Sequence, residues 1–167
     1  ITGYNNGTIQ HCYKTGSVSG INYVGGILGE NVATTSGGKL LYCFNVGSVS
    51  GTDYLGGIAG INRALFQYCY NTGSVSGNNW VGGITGYNSQ NTSKIQYCYN
   101  TGSISGSTSV GGVAGANNGL ATLTGCYYNK QVCPIGGSAG NDREGMAEGK
   151  LTSEMTNGAA FTDWSSG

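Results

Sequence analysis

The chain has 167 residues, among them 33 glycines, one proline, 38% apolar residues and only 8% charged ones. Its formal net charge is zero and no basic stripe is present, which excludes a phosphate-neutralising nucleic-acid surface. No apolar run approaches the roughly 18 residues of a membrane helix, and twelve tyrosines at fixed places argue against disorder.

The first segment, "ITGYN" at Ile1–Asn5, returns at Ile84–Asn88, so the chain is expected to start partway through a repeat, as a piece of a longer protein. From there one pattern recurs. Cys12, Cys43, Cys69, Cys98 and Cys126 stand 31, 26, 29 and 28 residues apart. The segments "YVGGILGEN" from Tyr23, "YLGGIAGIN" from Tyr54, "WVGGITGYN" from Trp80 and "VGGVAGAN" from Val110 keep the same steps. Length varies only between the "GxN" end and the next cysteine, where "VATTSGGK" and "SQNTSK" read as corner insertions. Each unit holds short runs rich in Val, Ile and Tyr, punctuated by Gly, Asn and Ser, with no helical stripe before residue 130. A period of this length with about three short strands predicts an all-β, right-handed parallel β-solenoid of about five coils over residues 1–129. At about 4.8 Å per coil its body would be on the order of 24 Å long.

Position-by-position comparison of the coils predicts side-chain directions. In "GSVSG" the middle residue (Val18, Val49, Val75, Ile104) points in and the flanking serines point out, by two-residue alternation. In "GGIxGxN" the fixed Ile or Val, Gly and Asn face inward. The varied positions Leu28, Ala59, Thr85, Ala114 and Glu30, Ile61, Tyr87, Ala116 are expected to face solvent. Asn31, Asn62, Asn88 and Asn117 either form an amide ladder or sit in left-handed turns. On the cysteine strand the apolar column (Ile9, Leu40, Phe66, Ile95, Leu123) lies three residues before the cysteine, so strict alternation cannot bury both. A bend with the cysteines inside is favoured, because exposed thiols oxidise.

The aromatics around each cysteine are the candidate site. If Tyr42, Tyr68 and Tyr97 face out, joined by Tyr70, Tyr99, Tyr13 and Phe44, they form a strip able to stack on sugar rings; if they face in, they fill the core. The serine columns make a hydroxyl face, but serine in place of threonine argues against water ordering. Cysteines 26–31 residues apart lack the tight pairs of a zinc site, and a reduced, stacked cysteine ladder is expected. Cys126 and Cys133, seven residues apart, could close a disulfide loop. His11 is the sole histidine and has no unique nucleophilic partner. Asp142 and Glu144 lack calcium-loop spacing and read as a solvated turn.

Composition shifts near Asn129: residues 1–129 hold six charged side chains and the last 38 hold eight. The segment 130–167 therefore reads as a C-terminal cap. "KLTSEMTNGAAFTDW" (Lys150–Trp164) is its one plausible helix, with Thr152 capping, Glu154 in the first turn, and Met155, Phe161 and Trp164 covering the last coil.

"YVGGIxGxN", a variable corner and then "IxxCYNTGSVSG" resemble the GLUG repeat of bacterial surface and secreted proteins, over residues 1 to about 129. The tail ("CYYNKQ", "GKLTSEM", "AAFTDW") is similar to the segment that closes such arrays, although "SSG" follows Trp164 where the family carries an aromatic. The resemblance implies an extracellular or cell-surface array of adhesins or secreted proteases, with no catalytic residues to carry over. The expectation is a non-enzymatic structural or adhesion module that needs no cofactor or metal. Its partner would be a cell-surface glycan or a host or matrix protein. No membrane insertion is expected, and end-to-end self-association is left open. A glycan-binding module and an accessory array of a secreted hydrolase are the alternatives.

Overall fold

The structure, a computed structural model, describes residues 2–33, 37–133, 147–157 and 161. The chain winds through five short strands per turn, and every strand pairs in parallel with its own copy in the next turn. Sheet 1 stacks Thr2–Asn5, Leu28–Asn31, Ala59–Asn62, Thr85–Asn88 and Ala114–Asn117. Sheet 2 stacks Thr8–Gln10, Lys39–Leu41, Leu65–Gln67, Lys94–Gln96 and Thr122–Thr124. Sheet 3 holds Tyr13–Lys14, Phe44–Asn45, Tyr70–Asn71, Tyr99–Asn100, Cys126–Asn129 and Ala147–Lys150. Sheet 4 holds Val18–Ser19, Val49–Ser50, Val75–Ser76 and Ile104–Ser105, and sheet 5 holds Asn22–Gly25, Asp53–Gly56, Asn79–Gly82 and Thr108–Gly111. The result is a parallel β-solenoid of four complete turns and a fifth that reaches sheet 3. Five strands per turn replace the expected three, because a turn at positions such as 72–74 splits what reads as one strand into two two-residue pieces.

Two apolar clusters fill the cross-section. The larger contains the Ile27, Leu40 and Cys43 columns, and the smaller the Val49 and Leu55 columns. The stacked carboxamides of Asn45, Asn71 and Asn100, all fully buried, pack against Gly26, Gly57 and Gly83, the second glycines of three successive Gly-Gly pairs, and the Tyr128 ring takes that place at Gly112. A Cβ on Gly57 would overlap the Asn71 carboxamide, so the pair must be glycine for the amide column to fit.

Directions follow the sequence reading in part. Val49 and Val75 are buried and Ser50 and Ser76 exposed, as alternation requires. Leu28, Ala59, Thr85 and Ala114, expected at the surface, are instead in the core. A bend at Gly26–Ile27 and its copies breaks the alternation, so two successive residues turn inward. In the next outward column Glu30, Tyr87 and Ala116 are half-exposed as expected, but Ile61 is buried between Glu30 and Tyr87 in register. The expected bend on the cysteine strand is present. Tyr42, Tyr68 and Tyr97 adopt left-handed backbone (φ of 53°, 55° and 53°), which puts Leu40 and Cys43, three residues apart, on the same inner face.

The asparagines form the ladder and not the left-handed turn. Asn5 Nδ2 donates to Asn31 Oδ1 (2.8 Å), Asn31 to Asn62 (3.1 Å), Asn62 to Asn88 (2.9 Å) and Asn88 to Asn117 (2.7 Å). A second ladder, absent from the sequence reading, joins Asn45 to Asn71 (2.9 Å) and Asn71 to Asn100 (2.8 Å).

At the C-terminal end Ala147–Lys150 adds a strand to Cys126–Asn129. The helix that follows covers only Thr152–Thr156, and Leu151 rather than Thr152 is its N-cap. The Thr152 hydroxyl is taken by Asn129 Nδ2 (2.8 Å), while the Glu154 carboxylate accepts the Leu151 N–H (2.6 Å). Met155 and Phe161 pack on Tyr127 and Tyr99 as expected, whereas Trp164, Asp142 and Glu144 lie outside the described residues.

Candidate functional site

The candidate tyrosines face outward. Each left-handed residue before a cysteine throws its ring off the rim of sheet 2, and parallel stacking then brings the rings together. His11, Tyr42, Tyr68 and Tyr97 form one ladder, with centroids 5.1, 5.0 and 5.3 Å apart and planes within 12°. One residue past the cysteine, Tyr13, Phe44, Tyr70 and Tyr99 form a second, spaced 5.3, 4.8 and 5.0 Å. Phe161 tilts against Tyr99 at 5.1 Å and closes that ladder beneath the cap. Burial and the neighbouring Tyr70 push the Tyr99 phenol above its ordinary pKa.

A third ladder was missed from the sequence. Tyr23, Tyr54 and Trp80 stack at 5.0 and 4.4 Å, and all three are left-handed. The signal was present in the aromatic before each "VGG" or "LGG", which served only as a marker of period. Tyr87 of sheet 1 leans on Tyr54 at 6.4 Å. Burial, then Tyr23, Asp53 and Tyr87, raise the Tyr54 pKa.

This geometry limits what the ladders can do. Both faces of Tyr42, Tyr54, Tyr68 and Tyr70 are covered by adjoining rings. Sugar stacking needs an open face, and these rings offer edges and hydroxyls instead. Tyr42, Tyr68, Tyr97, Tyr70 and Tyr99 therefore form a polar-tipped ribbed surface, not a flat platform.

Cys12, Cys43, Cys69, Cys98 and Cys126 stack along the larger core, and all six cysteines keep their thiols. Burial pushes the Cys69 thiol well up, and hydrogen bonding with Cys69 together with burial does the same to Cys43. Cys12, in the first turn, is half-exposed and is raised by burial and by Cys43. Cys126 and Cys133, the candidate disulfide, have separate partners: Cys126 Sγ donates to Ile95 O (3.4 Å), and Cys133 Sγ donates to Gly102 O (3.0 Å). Cys133 Sγ also receives Asn100 Nδ2 at 3.4 Å, so it terminates the second asparagine ladder. His11 is spent in its stack on Tyr42. Among the described residues no group of three His, Cys, Asp or Glu is placed to hold a metal ion, and no helix is long and apolar enough to cross a membrane.

No protein-family model matches the chain, and no curated protein matches it. Among solved structures it is similar to the 1.30 Å crystal structure of a putative immunoglobulin A1 protease from Bacteroides ovatus, with a TM-score of 0.73 and 20% sequence identity. The match covers 97% of this chain, and the chain spans 65% of that protein's length. At this identity the likeness shows the fold.

Proposed function

We propose that the chain is a non-catalytic, extracellular GLUG-type repeat module, a stiff spacer that presents a repeating surface to a host or polymer partner. One observation carries this reading. The recurring side chains (the asparagines, cysteines and aromatics) are used on their own copies one turn away, as amide ladders, a thiol column and ring stacks. Residues committed to their neighbours serve architecture. What varies from turn to turn, the corner segments and the outer column of sheet 2, is left for recognition. The Bacteroides ovatus protein supports a more specific version, a non-catalytic accessory array of a secreted protease, since the matched part leaves room for other segments in that protein.

Two measurements test the reading. Small-angle scattering of the chain and of versions with turns duplicated should give a maximum dimension that grows by about 4.8 Å per added turn, and a dimension that does not grow would overturn the spacer role. Incubation with immunoglobulin A1 and with casein should leave both intact, and cleavage by this chain alone would overturn the non-catalytic role.

A further inference from the structure

Corner length differs between turns at the junction of sheets 1 and 2. Seven residues of sequence separate Asn31 from Lys39 in the second turn, whereas two (63–64) join the sheets in the third and five (89–93) in the fourth. A short corner between two longer ones leaves a notch. The structure has there a cleft of about 330 Å³, floored by Ala64 and Leu65 and walled by Ala33 on one side and Thr92 on the other. Its two charged groups come from one outer column of sheet 2, where Lys39, Leu65 and Lys94 are in register on successive turns. Two turns of parallel pairing place the lysine backbones about 10 Å apart, with Leu65 midway. Gln96, also on the lining, approaches Gln67 at 3.5 Å.

The charge pattern is unusual for this molecule. Residues 1–129 carry only six charged side chains, and two of them meet on this face. No Asp or Glu lies on any strand of sheet 2. The nearby Glu30 is occupied by Arg63 at 2.5 Å, and among the described residues neither Lys39 nor Lys94 is in an ion pair.

We propose that this cleft binds a linear acidic glycan lying along the rod, with a carboxylate on every second sugar. The two ammonium groups would each take a carboxylate, Leu65 and Ala64 would receive the apolar face of the sugar between them, and Gln96 and Thr92 would hydrogen-bond its hydroxyls. Thr92 and Gln96 equal the two lysines in number on this lining, and the floor between them is apolar, a combination that suits the hydroxyls and apolar face of a sugar better than an acidic peptide. The inference deepens the repeat-module reading, and rests on it for the outer face being the working surface.

The test is calorimetric titration of the whole chain with a hyaluronan hexasaccharide, its carboxyl-reduced counterpart and poly-L-glutamate. The acidic hexasaccharide should bind, weakening several-fold between about 50 and 300 mM salt. The reduced sugar and the peptide should not. The double variant Lys39→Gln with Lys94→Gln should bind at least tenfold more weakly with an unchanged circular dichroism spectrum and melting point, since both lysines are exposed. No binding of the hexasaccharide, or binding untouched by the double variant, would overturn the proposal. Equal binding of poly-L-glutamate would overturn the sugar assignment. None of these results bears on the particle shape or the absence of proteolysis, so the module reading stands or falls separately.

Discussion

The two asparagine ladders share one hydrogen-bonding scheme and differ in how tightly they are enclosed. Asn62 Oδ1 accepts the Ala64 N–H at 3.1 Å, and Asn71 Oδ1 accepts the Gly73 N–H at 3.2 Å. Each amide also donates to the next asparagine and to a carbonyl of its own corner. At the sheet 1–2 corner that carbonyl lies two residues on from Asn62, four from Asn117 and seven from Asn31. The amide there ties off whatever loop is inserted. At the corner after sheet 3 it is always two residues on, at Gly47, Gly73 and Gly102. A Cβ on any of these would overlap the carbonyl oxygen of the glycine one turn below. The first corner, by contrast, accommodates Ala64 and Ser93. Equal chemistry thus yields one corner open to change and one closed, and backbone crowding decides which.

The sharpest way to break this contrast is to load the closed corner. Gly73→Ala should destabilise by about 3–5 kcal/mol, because the obstruction is backbone that cannot rotate away. A melting point within a few degrees of wild type would refute the crowding argument. An inserted Gly-Ser-Gly after Thr72 should likewise abolish cooperative unfolding. After Arg63 the same insertion should cost about 1 kcal/mol or less, the entropy of a longer loop. Next in size are the amides. Asn71→Ala should cost about 2–4 kcal/mol in a denaturant melt, since it strands buried partners on both neighbouring turns, and Asn62→Ala, equally buried and bonded in the same way, should cost about as much. A much smaller cost at Asn62 would mean that the ladders differ in more than the crowding of their corners.

Smaller again is a pH effect from the thiol column. Folded Cys69 holds the proton that the unfolded chain releases near its ordinary pKa of about 8.5. Its contribution is therefore complete below that pH and is lost as pH rises above it, at about 1.4 kcal/mol per pH unit. Alkylation at pH 8 should label Cys12 first and Cys69 only on unfolding; early labelling of Cys69 would contradict its burial. The smallest effect is expected from Ser76→Ala, on the exposed hydroxyl face, at within about 0.5 kcal/mol.

Much of this architecture could be read from spacing. The cysteine and "VGG" steps set the period, and the inward valines followed from comparing turns, which also narrowed the Asn31 column to a ladder or a left-handed turn. The errors share a cause. Alternation was carried across the bend at Gly26–Ile27, which misplaced Leu28 and Thr85. Left-handed backbone at Tyr42, Tyr68 and Tyr97 is a conformation that single residues other than glycine, asparagine or aspartate seldom announce, so the bend could be required but not located. The asparagine of "CYNTG" was in view, yet its ladder depends on the glycine column of a neighbouring turn. The Lys39–Lys94 cleft is a difference in corner height between turns and has no motif.

The left-handed aromatics set a length threshold for the whole array. A residue such as Tyr54 or Tyr68 held in this backbone conformation costs on the order of 1–2 kcal/mol, incurred twice in each of the four complete turns. The ring stacking that offsets it, about 0.5–1.5 kcal/mol per pair, exists only between turns. A lone turn bears the strain with no offset, whereas each added turn brings, with its two strained residues, new ring stacks and a full set of inter-turn backbone pairings. Folding should therefore behave as nucleation followed by growth, with isolated turns unfolded and stability rising once several are joined.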